Sequence, residues 1–261
     1  MNSPLLEKTI AVARTAGEII RDHWRLPRDV QYKGRIDLIT KTDAAVEAHL
    51  KERLGKLLPG IGFMGEESAH SVIPEGDCWI VDPLDGTTNF VHGIPFAAVS
   101  IALWQKGASR LGVVVIPMLN ECFYAERGQG AHCNGQPLQV SNIARCEQSL
   151  IATGFPYDID VQKDRILKWL GAVLPQCQGV RRCGAAAADL AYVAAGRYEA
   201  FYETGLKPWD MAAGWLLVEE ARGRVTNILG EPLRFGDALL ASNGHVHQEL
   251  VDMLKETRLL P

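Results

Sequence analysis

The 261-residue chain has no excess of basic charge: 27 Lys and Arg stand against 31 Asp and Glu, a net charge of -4. Without a basic footprint, nucleic acid is not the expected primary partner. No apolar run is long enough to cross a bilayer, so no membrane partner is expected, and the opening residues lack a secretory pattern. Met1-Asn2-Ser3-Pro4 reads instead as a helix start, with Ser3 as cap and Pro4 at the first helical position. Cysteines are few and scattered. Cys78, Cys122, Cys133, Cys146, Cys177 and Cys183 form no Cys-x-x-Cys pair, and a chain this long needs no disulfide staples. They read as reduced thiols in a cytoplasmic protein. Close histidine pairs are lacking too, apart from His245-x-His247, which reads as a solvated helix start rather than a zinc site. The chain also has no internal repeat and no low-complexity linker.

What is present suits a large soluble core: 47% hydrophobic and 22% charged residues. Leu6, Ile10, Val12, Ala16, Ile19 and Ile20 make a helical stripe over residues 4–24. A polar stretch from Gln31 to Thr42 follows. Asp43 then opens a helix with Val46, Leu50, Leu54 and Leu57 on one face, stopped at Pro59-Gly60. Strands are predicted at 61–64, 78–82, 97–104, 111–117 and 121–125, with a Gly128-x-Gly130 turn and an Asn134-Gly135 hairpin turn after them. From about residue 148 strands and helices alternate. Strands fall at 149–153, 178–183, 198–203, 224–228 and 237–241, and helices at 161–173, 185–195, 209–222 and 246–257. The expectation is two tightly joined regions, 1–145 (α+β) and 146–261 (α/β), forming one compact unit.

The segment Trp79-Ile80-Val81-Asp82-Pro83-Leu84-Asp85-Gly86-Thr87-Thr88-Asn89-Phe90 runs from an apolar strand into a turn bearing two carboxylates. Hard oxygen ligands beside a glycine that admits an anion are what Mg²⁺ needs to be held against a phosphate group. Three other acidic positions stand where elements end. They are Glu66 in Gly65-Glu66-Glu67-Ser68, Asp43 after Ile39-Thr40-Lys41-Thr42, and Asp210 after Lys207-Pro208-Trp209. Taken singly, Asp43 and Asp210 read as helix caps and the Glu66-Glu67 pair as a solvated turn. The chemistry rests on the set.

Asp82-Pro83-Leu84-Asp85-Gly86-Thr87-Thr88-Asn89-Phe90 resembles the first signature of the inositol monophosphatase family, and Trp209-Asp210-Met211-Ala212-Ala213-Gly214 resembles the second. Gly65-Glu66-Glu67-Ser68, Arg182-Cys183-Gly184-Ala185-Ala186-Ala187-Ala188 and Tyr202-Glu203-Thr204-Gly205 are also similar, in order and spacing. The resemblance implies a layered α/β/α/β/α sandwich of the inositol monophosphatase and fructose-1,6-bisphosphatase type. It further implies two or three Mg²⁺ ions, Li⁺ sensitivity and a homodimer. By the same resemblance, Glu66, Asp82 and the carbonyl of Leu84 hold one Mg²⁺. Asp82, Asp85 and Asp210 hold a second, and Glu66 anchors a weaker third. Thr87 with Asp43 behind it, and Glu66, belong to the catalytic set that orients and deprotonates water. Asp85, Gly86, Thr87, Gly184, Ala186, Glu203 and Asp210 bind substrate. A carboxylate such as Glu203 accepts hydroxyl hydrogen bonds and selects a polyol.

The implied activity is hydrolysis of inositol monophosphate, a phosphate monoester, or of related polyol phosphates. Fructose 1,6-bisphosphate and NADP are further candidate substrates, and association with transcription machinery is a reading of a different class. Relatives acting on 3′-phosphoadenosine 5′-phosphate or histidinol phosphate place Lys after the first Thr of the motif, where Thr88 stands here. Arg222 replaces a glycine usual in the family and reads as a surface change. Lys207 meets substrate or lies on the rim. Lys33 sits in a loop that can fold over the family's metal site. His92 reads as a turn or packing residue and Trp209 as support for Asp210.

Overall fold

A computed structural model describes residues 2–26, 30–32, 37–69, 74 and 76–256; Lys33 lies outside them. Helix α1 (Pro4–His23) opens as its sequence predicts, with the Ser3 hydroxyl accepting from the Leu6 amide. The stretch read as polar loop contains two short antiparallel strands, β1 (Val30–Tyr32) and β2 (Leu38–Thr40). Helix α2 (Lys41–Leu57) begins two residues before Asp43. Thr40, in extended conformation, is its cap, and Asp43 sits three residues inside it.

Seven strands make the first sheet: β3 (Gly62–Gly65), β4 (Cys78–Asp85), β5 (Ala98–Gln105), β6 (Ala108–Ile116), β7 (Glu121–Glu126), β8 (Ala131–Cys133) and β9 (Gln136–Pro137). They are ordered as numbered, and only β3–β4 is parallel. The six-residue helix α3 (Thr87–His92) follows β4. The second sheet contains β10 (Leu150–Thr153), β11 (Gly179–Arg181), β12 (Ala200–Glu203), β13 (Arg224–Asn227) and β14 (Leu239–Ser242), in the order β11-β10-β12-β14-β13. Here β10 runs parallel to β11 and β12, while β14 is antiparallel to β12 and β13. Helices α4 (Ile159–Val173), α5 (Ala186–Ala194), α6 (Pro208–Glu220) and α7 (His247–Glu256) complete the chain.

Strand alternation distributes the core into layers. Trp79 and Val81 of β4, with Val99, Ile101 and Leu103 of β5, pack toward Ile10, Leu50 and Leu54 of α1 and α2. Ile80, Ala98 and Ala102 point the other way, into a core shared with α5, α6 and Phe201 of β12. On the far face of the second sheet, Ile151 and Tyr202 meet Trp169 of α4 and Leu250 of α7. The order α1–α2, first sheet, α5–α6, second sheet, α4–α7 is the expected α/β/α/β/α sandwich. Alanine-rich α5 fits between two sheets because its small side chains permit close approach.

The His245–His247 pair needs correction. His247 is fully buried, with Nδ1 2.8 Å from Ser242 Oγ and Nε2 2.9 Å from Thr226 Oγ1. Burial pushes its pKa down to about 4. The imidazole ties α7 to β13 and β14. All six cysteines are free.

Candidate active site

Asp82 and Asp85 are three residues apart, a spacing that would put them on opposite faces of a regular strand. A bulge changes this. Asp82 pairs with Ser100 and Asp85 with Ala98, so three steps on β4 match two on β5. Both carboxylates therefore face the α5–α6 layer. Pro83, which cannot donate to a ladder, and the Leu84 amide, which donates to Asp82 Oδ1 at 2.9 Å, fit the kink. Gly86 then turns the chain at φ +89 into α3, where any Cβ would meet the Phe96 and Gly184 carbonyls at 3.1 and 3.2 Å.

A cavity of about 280 Å³ opens between the sheets at these elements. Glu66, Asp82, Leu84, Asp85, Gly86, Thr87, Gly184, Ala186, Glu203 and Asp210 all line it, as do Lys207 and Trp209. Asp43, His92 and Arg222, also singled out from sequence, are not in its wall. His92 is an exposed residue in the last turn of α3. Asp43 is fully buried behind Thr87, whose hydroxyl stands 2.9 Å from Asp43 Oδ1 and 2.9 Å from the Leu84 carbonyl as donor. Asp43 Oδ2 accepts from the Thr40 amide at 2.8 Å and the Thr40 hydroxyl at 2.6 Å. Its carboxylate thus both completes the α2 cap and backs Thr87. Burial raises its pKa against those hydrogen bonds.

The acidic groups strain against one another. Asp82 is pushed well above the usual carboxylate range, first by burial and then by Glu66, Asp85 and Asp210. Burial lifts Asp85 to about 7, although the Ala187 and Ala186 amides donate to it at 2.7 and 3.2 Å. Asp210 is raised by burial and Glu66, while the Lys207 amide at 2.6 Å favours its charged form. Such a set is the environment that a bound cation relieves. Its donors are all oxygens, which fits a hard divalent cation such as Mg²⁺. Among the described residues no three acidic, thiol or imidazole groups already enclose a single point. Asp85 is turned onto α5 and Asp210 onto its own helix start.

Glu203 ends β12 and is raised to about 8, first by burial, then by Asp189. Gly154 makes room for it, since a Cβ there would lie 1.9 Å from Glu203 Oε2. Arg182, which the sequence shows only as the first residue of a family motif, lines the cavity, as do Asp189 and the Phe155-Pro156-Tyr157 turn, which carry no role in the sequence analysis. Asp189 had one signal: a carboxylate in an otherwise apolar helical run. A larger cavity of about 410 Å³ beside α4, lined by Arg165, Lys168, Trp169, Asn227 and Asp237 among others, gathers no comparable acidic set.

Residues 1–258 match the inositol monophosphatase family. The chain is 43% identical over 230 residues to Nus factor SuhB of Salmonella typhimurium, covering 87% of this chain and 86% of that protein. It is 39% identical over 254 residues to an inositol-1-monophosphatase of Caulobacter vibrioides, covering 94% and 98%. Its fold is similar to the extragenic suppressor protein suhB of Bartonella henselae, with a TM-score of 0.92, 40% identity, and 97% and 99% of the two chains covered. By sequence and by fold across almost its whole length, the chain belongs to the inositol monophosphatase family.

Proposed function

We propose that the chain is a Mg²⁺-dependent phosphomonoesterase that hydrolyses myo-inositol 1-phosphate and related polyol phosphates to the polyol and phosphate. The observation carrying this reading is the bulge that aims Asp82 and Asp85 into one cavity with Glu66 and Asp210. Glu66, Asp82 and the Leu84 carbonyl would hold one Mg²⁺, and Asp82, Asp85 and Asp210 a second, with Glu66 anchoring a weaker third. Asp210 comes from the region 146–261 and the other ligands from 1–145, so the site depends on the two regions staying together. When bound, the cations supply positive charge against the phosphate and make water more acidic.

The chain's own residues do the rest. Thr87 accepts a proton from the attacking water as its own passes to Asp43 Oδ1, which a raised pKa equips to receive it. Gly86 keeps side-chain bulk away from the phosphate, and Glu203 accepts hydroxyls of the polyol, beside Gly184. The Ala186 amide, a candidate substrate donor, already donates to Asp85, so its primary task is to orient that carboxylate. No protein nucleophile is required.

Asp210→Asn is expected to cut kcat by about a hundredfold or more while leaving the folded state intact by circular dichroism. Chelation should abolish activity and Mg²⁺ restore it. Near wild-type turnover in the variant, or activity in the chelator, refutes the reading. Turnover of fructose 1,6-bisphosphate and NADP in parallel ranks the substrates.

The 42–45% identity to Nus factor SuhB proteins favours a second reading, association with the transcription machinery. Co-purification of RNA polymerase with a catalytically dead Asp210→Asn chain would support it. A cytoplasmic homodimer is proposed as well, and light scattering tests the dimer.

A further inference from the structure

Asp189 lies in the first turn of α5, within Ala185-Ala186-Ala187-Ala188-Asp189-Leu190-Ala191. It is 1% exposed, lines the cavity, and its Oδ1 is buried with no hydrogen-bond partner among the described residues. A buried acceptor left unpaired costs stability, more so if charged, and calls for a reason. Capping α5 is not the reason. Asp85 already takes the amides of Ala186 and Ala187 at that helix start. Packing is no better a reason, because every neighbour in the run is apolar and an alanine or leucine would serve.

The surroundings suggest a ligand instead. Glu203 lines the same cavity from β12, which packs against α5, and Asp189 acts on it electrostatically. Arg182 lines the same cavity and its charge favours the ionised form of both groups, its guanidinium 5.4 Å from the centre of the Phe155 ring. A pair of carboxyl groups with spare acceptor capacity in one cavity with an anchored cation is suited to neutral groups that donate hydrogen bonds, which hydroxyls are.

We propose that Asp189 is a specificity-determining residue that forms, with Glu203, a two-carboxyl acceptor on the α5–β12 side of the cavity. This pair takes two hydroxyl groups of the substrate. It selects phosphate monoesters of cyclitols or sugars over esters with a bare leaving group. The assignment rests on the phosphatase reading and extends it to the part of the substrate that does not react.

The test uses the full chain with Asp189→Ala and Asp189→Asn, assayed on myo-inositol 1-phosphate and on p-nitrophenyl phosphate, whose leaving group carries no further hydroxyl. Calorimetry gives the Kd of myo-inositol 1-phosphate in parallel. Asp189→Ala is expected to raise KM and Kd for the inositol ester about tenfold or more. Its kcat should stay within about twofold, as should both constants for p-nitrophenyl phosphate. Asp189→Asn, which keeps the shape and one acceptor, should show a smaller rise. Equal losses on both substrates, or unchanged KM and Kd for the inositol ester, overturn the proposal. If the wild-type chain binds the inositol ester without hydrolysing it, the phosphatase reading falls and the Kd comparison still decides the role of Asp189. If it neither binds nor hydrolyses it, the assignment falls too.

Discussion

Asp85→Asn should make the protein more stable when divalent cations are chelated and less active when Mg²⁺ is supplied. Asp85 is 8% exposed, and its pKa is lifted from the usual 3.8 to about 7. Ionising such a group in the folded state at pH 8 costs about 4 kcal/mol of stability. Asparagine carries no charge, and its amide oxygen still accepts from α5. The lost second bond and the unpaired NH₂ return about 2 kcal/mol of that gain. A net stabilisation of about 2 kcal/mol raises Tm by about 4 °C for a chain of this size. Asp82 and Asp210 also lose a repelling neighbour, which adds to the same sign.

The pH dependence follows from the direction of the shift. Between 3.8 and about 7 the folded state holds the proton that the unfolded state has released. Wild-type stability from this group therefore falls as pH rises through that window and levels off above it. The advantage of the variant should grow from pH 4 to pH 7. Thermal unfolding in EDTA at several pH values measures it. Saturating Mg²⁺ should reverse the order, since a ligand bound at about 100 times its Kd stabilises the wild type by about 2.7 kcal/mol. A lower Tm for Asp85→Asn in EDTA at pH 8, or an advantage undiminished at pH 4, would refute the reasoning.

Gly154→Ala places a methyl on the Glu203 carboxylate, 1.9 Å from Oε2. Steady-state kinetics should show a loss of about a hundredfold in kcat/KM on a polyol phosphate and little change on p-nitrophenyl phosphate. Arg222 holds a left-handed φ of +70, so Arg222→Gly should stabilise the fold by about 1 kcal/mol, read by urea unfolding, without altering turnover. His247, with its pKa near 4, binds its proton more readily in the unfolded chain, so its contribution to stability falls as pH drops from 6.5 to 4. His247→Gln should lose about 3 kcal/mol less than wild type over that range. A parallel decline in both proteins would contradict the buried neutral imidazole.

Much of the fold was legible locally. Ser3-Pro4 and the stripe of Leu6, Ile10 and Ala16 define α1, and Asn134-Gly135 sets the β8–β9 turn, because caps, periodicity and turn chemistry act over a few residues. Asp82-Pro83-Leu84-Asp85 announced an acidic strand end. Less visible were β1 and β2, three residues each and too short to show a periodicity, and the antiparallel β14 within an alternating pattern. His247 was misread because solvation depends on what packs over a helix start: here, Ser242 and Thr226 from other strands.

By itself, then, the sequence determined the donor atoms, the short-range elements and the motifs that tie the chain to its family. Tertiary structure decided which side chains share a space. The β4 bulge turns Asp82 and Asp85 to one side, α6 delivers Asp210 from more than a hundred residues away, and α5 brings Asp189 into the cavity that Glu203 also lines. These outcomes depend on strand register and layer packing, which are long-range balances of burial and pairing that no local stretch of residues encodes.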